Sequence, residues 1–305
     1  MPDLMITSVR SRTTNRAPSA GMLVALAGVF GGALVFVYAL FVHTEIGQRV
    51  DNAALLGRAA VPEGLIEDAW TMLDTISILS LVLAGMMVAV IGIARRRPVL
   101  AAAAGAVLLG SNVTTQVLKR AILTRPELLD DGVKAYNTLP SGHATVALSV
   151  VAALVLVAPR HRRSMVALVG TGYSAMIGVA TVVAGWHRPS DAVTAWLVVG
   201  MWTSMAAAVL AMRRDAVRVL GDAPGADATE ALMWVGAAAL LMATLAGGLA
   251  LAFVTASAEV AEFGGFGPRS LAFLSAVAGI TGSALFAMAS LVGGIRPVSS
   301  GGQPG

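Results

Sequence analysis

The sequence contains no cysteine, so neither a disulfide framework nor thiol chemistry belongs to this chain. Charge is almost as scarce. Asp, Glu, Lys and Arg make up 12% of the 305 residues and aromatics 5%, whereas a soluble domain is about 25% charged. Too few charges remain to build an ordinary water-facing surface. The formal net charge is +4, but the basic residues lie in short clusters between apolar runs and form no single patch, which argues against a nucleic-acid partner. What takes the place of charge is apolar: 57% of the residues are hydrophobic.

These residues gather into uncharged runs at about 21–42, 75–94, 98–118, 143–159, 164–186, 192–212, 231–258 and 271–295. A hydrocarbon core of ~30 Å needs about 20 helical residues, and long runs without alternation exclude strands. The sequence therefore predicts an all-α polytopic bundle of about eight transmembrane helices. Its first run is longer than the ~7–15 residues of a signal-peptide core and lacks a small-residue cleavage pattern, which predicts an uncleaved helix. The expected organisation is a tail at 1–20, a six-helix core at 21–212, a linker at 213–230, a two-helix membrane extension at 231–295 and a tail at 296–305.

Basic clusters occupy alternate loops: Arg10, Arg12 and Arg16; Arg95, Arg96 and Arg97; Arg160, Arg162 and Arg163; Arg213, Arg214 and Arg218; then Arg296. By the positive-inside rule this predicts a multi-pass plasma-membrane protein with both termini cytoplasmic. The acidic 44–70 loop and the segments 119–142 and 187–191 then face outward. Most of the inner-face arginines are expected to anchor to the membrane interface. Closely spaced small residues, such as Gly28, Gly31 and Gly32 or Gly279 and Gly282, fit a homo-oligomer face but fit close packing inside one bundle better.

Two outward segments abut the apolar runs, where ionisable groups are costly and usually functional. One carries Lys119, Arg125 and Pro126 and continues to Pro140-Ser141-Gly142-His143; the other is Trp186-His187-Arg188-Pro189-Ser190-Asp191. Lys119, Arg125 and Arg188 offer fixed positive charge, and the planar arginine fork suits phosphate oxygens. Ser141 is placed to cap the following helix, whose N–H groups and positive dipole end then address an anion near Gly142. His187 and Asp191 stand one helical turn apart, so the carboxylate can hold the imidazole in one tautomer and leave its other nitrogen to attack phosphorus. His143 can protonate the departing oxygen. A metal held by His143, His187 and Asp191 is disfavoured because flanking cations repel it, and no cofactor is expected.

Lys119 with Arg125-Pro126, the complete Pro140-Ser141-Gly142-His143 and the His187…Asp191 pair resemble, in order and placement, the three motifs of the type 2 phosphatidic acid phosphatase superfamily, whose relatives include vanadium haloperoxidases. The resemblance covers about 20–212. It implies a membrane lipid phosphatase in which His187 is the nucleophile, Asp191 its orienting partner and His143 the acid. Lys119, Arg125, Ser141 and Gly142 would hold the phosphate. The chain departs from the family pattern where an arginine is due six residues before the histidine; Thr181 stands there. Arg188 or Arg120 is expected to supply the missing charge. Alternatively the chain binds or transports phosphorylated lipids without turning them over. Polyprenyl pyrophosphate is the expected substrate, with phosphatidic acid, phosphatidylglycerol phosphate and prenyl-phosphosugar phosphates behind it.

Overall fold

The computed structural model describes residues 19–130, 132–133, 136–213, 236, 238 and 268–294. Among these the fold is entirely helical, as the apolar runs require. Helix α1 spans Ala20–His43, starting where the Ser19 hydroxyl accepts from the Met22 N–H. Thr44 both ends α1 and caps α2 (Glu45–Leu56), its hydroxyl accepting from the Gly47 N–H at 3.0 Å. A short 3₁₀ turn, Gly57–Ala60, leads to α3 (Glu63–Asp74), and a Ser77–Ser80 capping box opens α4 (Ile78–Ala94). Then come α5 (Pro98–Val117), a π turn at Leu118–Ile122, α6 (Gly142–Val157), α7 (Arg160–Val183), α8 (Pro189–Met212) and α9 (Pro268–Gly294).

Seven of the eight apolar runs fall on these helices; the run at 231–258 lies outside the described residues, apart from 236 and 238. Five helices among the described residues are long and apolar enough to cross a membrane, and the α3–α4 pair, bent by 56°, makes a sixth if it counts as one span. Helix α6 is shorter, with 16 residues. One expectation needs correction. The acidic 44–70 stretch is not a solvated loop but folds into α2, whose buried face carries Gln48, Asp51 and Asn52, and α3, which buries Ala69 and Leu73.

The core forms where α1 lies along α8 and where α6 packs against α5, α7 and α8. Small residues let the backbones come close: a Cβ added at Gly200 would meet the Phe30 ring at 2.7 Å, and one at Gly110 would meet the Trp202 indole at 2.5 Å. Helix α9 packs on α2, α7 and α8, and Ile280, Ala284, Met288 and Val292 join the main apolar cluster.

At the Val157 end of α6 two arginines expected as interface anchors do something else. Arg95 Nη1 donates to the Val157 carbonyl, while Arg163 Nε and Nη2 donate to Ala158 and Leu156 at 3.2 and 3.4 Å. Arg163 is 1% exposed. The last carbonyls of a helix lack intrahelical donors and carry its negative dipole end, and these guanidinium groups answer both needs.

Candidate phosphate site

Helix α7 ends by a turn that the sequence makes necessary. Gly185 adopts φ +76°, its N–H donates to Val182 and the Trp186 N–H reaches back to Thr181 at 3.0 Å. Such a left-handed residue just after a helix satisfies carbonyls that would otherwise be orphaned. A Cβ there would also strike the Arg58 guanidinium. The His187 N–H donates to the same Thr181 carbonyl at 3.1 Å, so the histidine is fixed immediately after the turn. Pro189 then occupies the first turn of α8, where its missing N–H costs nothing.

One turn on, Asp191 Oδ2 lies 2.9 Å from His187 Nδ1. The same oxygen accepts from Thr138 Oγ1 at 2.6 Å and from the Arg188 N–H at 3.0 Å. His187 is 8% and Asp191 1% exposed. With Nδ1 turned to a buried carboxylate, Nε2 is the ring nitrogen left for chemistry.

The Pro140–His143 turn is stitched to this pair, because the Ser141 N–H donates to the Asp191 carbonyl at 2.8 Å. Ser141 is wholly buried and opens α6, its hydroxyl 3.5 Å from the Ala144 N–H. An added Cβ at Gly142 would meet nothing nearer than Gln116 Nε2 at 3.5 Å, so protein packing alone does not demand glycine here. His143 lies against Trp186, with ring centroids 5.4 Å apart, and within electrostatic reach of His187, Lys119 and Asp74. Asp74, the last residue of α3, therefore lies near the site. Lys119 sits on the π turn that closes α5 and within electrostatic reach of Asp191. Single π turns recur at functional sites because the extra residue redirects a side chain. Asn137 donates to the carbonyls of Lys119 and Leu139, tying the turn to the Ser141 loop.

The two remaining cations meet at a place the sequence did not announce. Arg188 Nε donates to Asn52 Oδ1 at 2.8 Å, and Arg125 Nη2 approaches the same oxygen at 3.5 Å. Asp51 accepts from the Ser190 N–H at 3.1 Å and the Ser190 hydroxyl at 2.6 Å, and its Oδ2 lies 3.7 Å from Arg125 Nη1. Arg188, Asp51 and Asn52 are all buried, and the Arg125 side chain is 2% exposed. Burial, reinforced by the nearby Asp191 charge, pushes the Asp51 carboxyl up to about 6, against the pull of Ser190 and Arg125.

Thus His143, His187, Asp191, Ser141 and Lys119 gather at one end of the bundle, and Arg125 and Arg188 converge beside them. Arg120 is exposed, on the same π turn as Lys119 and within its electrostatic reach. Thr181 is buried and its hydroxyl donates to the Gly178 carbonyl within its own helix. Sequence reasoning missed Asp51, Asn52 and Thr138. For the first two, the available signal was a polar stripe, Gln48, Asp51 and Asn52, at helical spacing. Among the described residues no three His, Asp, Glu or Cys side chains gather as a metal-binding group.

Residues 75–215 match the model of the PAP2 superfamily. Over 114 residues the chain is 33% identical to a lipid A 1-phosphatase of Rhizobium johnstonii and to one of Rhizobium etli, in each case across 34% of this chain. These matches span 44% and 47% of the two relatives, so the likeness covers about half of their length. No solved structure matches the chain.

Proposed function

Starting from a chain whose residues 75–215 form a PAP2 superfamily segment, we propose that it is an integral membrane phosphatase acting on a phosphorylated lipid without a metal ion. The observation that carries the reading is the buried 2.9 Å contact of His187 Nδ1 with Asp191, set beside converging cations. His187 Nε2 attacks phosphorus and forms a P–N bond as the P–O bond to the lipid breaks. The electron pair leaves on that oxygen, which takes a proton from His143. Water then attacks the phosphohistidine, the P–N bond breaks, and His143 accepts the water proton. Lys119, Arg125, the Ser141 hydroxyl and the N–H groups at Gly142 hold the equatorial oxygens.

Arg188 fills the role of the arginine that Thr181 replaces, since it is the buried cation next to His187. Polyprenyl pyrophosphate remains the substrate favoured from sequence; the names of the relatives add the 1-phosphate of lipid A. In this reading the site faces the outer side of the plasma membrane, with both termini cytoplasmic.

The test is phosphate release by purified protein from polyprenyl pyrophosphate, phosphatidic acid, phosphatidylglycerol phosphate and lipid A 1-phosphate. His187→Ala is expected to lower turnover by about 10³-fold or more while lipid binding persists. A wild-type rate in that variant removes His187 as nucleophile. If the unmodified protein releases phosphate from none of the four, the binder or transporter reading replaces the phosphatase.

A further inference from the structure

The PAP2 match begins at residue 75, yet a helix before it reaches into the site. Helix α2 buries three polar side chains on one face, Gln48, Asp51 and Asn52. A buried polar face is costly unless every group finds a partner, and each of these finds one in a motif segment distant in sequence. Gln48 Nε2 donates to the Pro126 carbonyl at 2.8 Å, next to Arg125. Asn52 accepts from Arg188, and Asp51 holds both hydrogen-bond donors of Ser190. At the adjoining end of α1, the Tyr38 hydroxyl donates to the Thr124 carbonyl and accepts from the Thr124 N–H. The extended stretch carrying Arg125 is thus gripped on both sides by residues before position 75.

The chemistry of the two acceptors differs in a way that matters. Asn52 is neutral, so it fixes the plane of the Arg188 guanidinium without cancelling its charge. Asp51 is a carboxylate, so it orders Arg125 while offsetting part of that charge. Two guanidinium groups side by side repel one another, and the uncharged Asn52 oxygen between them accepts from both.

We propose that Asp51 and Asn52 are positioning residues of the phosphate site. Asn52 holds Arg188 as the cation that replaces the arginine absent at Thr181, and Asp51 ties Arg125 to the start of α8. This rests on the phosphatase reading for its catalytic consequence, but not for its effect on anion binding. The departure at Thr181 and the buried polar face of α2 become one feature: the cation moved to a new backbone position, and α2 supplies the acceptor that aims it.

The test uses the full chain purified in detergent, with inorganic phosphate as the probe and the phosphate dependence of the thermal unfolding midpoint as the readout. Asn52→Ala is expected to weaken phosphate binding about tenfold or more, since a hydrogen bond to a charged group is lost. Adding Asn52→Ala to Arg188→Ala is expected to cost little further, because the amide acts through that arginine. Arg49→Ala, on the exposed face of α2 where Arg49 faces Glu45, should leave phosphate binding unchanged. Wild-type phosphate affinity in Asn52→Ala, an additive loss in the double variant, or an equal loss in Arg49→Ala each overturns the proposal. Absence of any phosphate effect on the unmodified protein overturns it too.

If Asn52→Ala does not fold, Asn52→Asp takes its place. It keeps the acceptor oxygen but neutralises the clamp, so phosphate binding should again fall about tenfold, and an unchanged affinity overturns the idea. Should the protein release no phosphate from any lipid yet lose phosphate binding on Asn52→Ala, the phosphatase reading fails and the positioning role stands.

Discussion

At the Val157 end of α6, Arg95 and Arg163 donate to main-chain carbonyls; at the Ser141 end, Arg125 and Arg188 meet the side chains of Asp51 and Asn52. The residue type is the same and the burial similar, but the electrostatics are opposite. At the C-terminal end the guanidinium charge and the negative end of the helix dipole offset each other, and the arrangement is complete within the protein. At the N-terminal end the positive dipole end, two arginines and Lys119 add to one another, with Asp191 and Asp51 as the acidic counterweights. An arginine among carbonyls is therefore structural, and the one held by the Asn52 amide is, in the proposed reading, the ligand-binding group.

This contrast is sharpest in a pair of truncations. Arg188→Ala is expected to lower kcat/KM for the best lipid phosphate by about 10²–10³-fold, the size found when a transition-state donor is removed, and to weaken phosphate binding. Arg163→Ala should act on stability alone. It leaves buried carbonyls without a donor and should cost roughly 1–3 kcal/mol of stability, while the phosphate affinity of the folded fraction stays as in the wild type. If Arg163→Ala weakened phosphate binding as much as Arg188→Ala, the division between the two ends would collapse.

A smaller effect concerns pH. The folded-state value of Asp51, about 6, lies above the ordinary carboxylate value, so the folded protein binds this proton more tightly than the unfolded chain. The cost of keeping Asp51 charged is thus present above about pH 6 and is relieved as pH falls toward 4. The groups facing it are Arg125, Ser190 and Asp191. Between pH 7 and 5 the wild-type midpoint should gain roughly 2–4 °C relative to Asp51→Asn, measured in parallel scans. An identical pH response in both proteins would mean that Asp51 does not titrate in this window.

Much of this was legible in the residues. Apolar runs gave seven helices, and Pro140-Ser141-Gly142-His143 before such a run marked a capped helix start. The spacing of His187 and Asp191 placed them on one face. The role of α2 was hidden for a physical reason. Polar residues outside an apolar run default to solvent, and the partners of Asp51 and Asn52 lie 139 and 136 positions away, beyond any local pattern. Arg163 was misjudged similarly: a cation at a helix end looks like an anchor until its carbonyl partners are seen. Thr181 stands out as a departure, and in the proposed reading the replacement cation, Arg188, comes from the other side of the turn.

The length of α6 has a consequence for how a lipid meets the histidines. Its 16 residues make about 24 Å of helix, roughly a turn short of the ~30 Å hydrocarbon core. If the Val157 end of this short rod lies at one edge of that core, His143 at the other end lies roughly 6 Å inside the opposite edge. In the proposed phosphatase a lipid substrate then slides in its own leaflet until its phosphate meets the clamp, its chains still solvated by neighbouring lipid. Lifting those chains into water would cost about 0.8 kcal/mol for each methylene. A short helix would spare the proposed phosphatase that extraction, however long the tail.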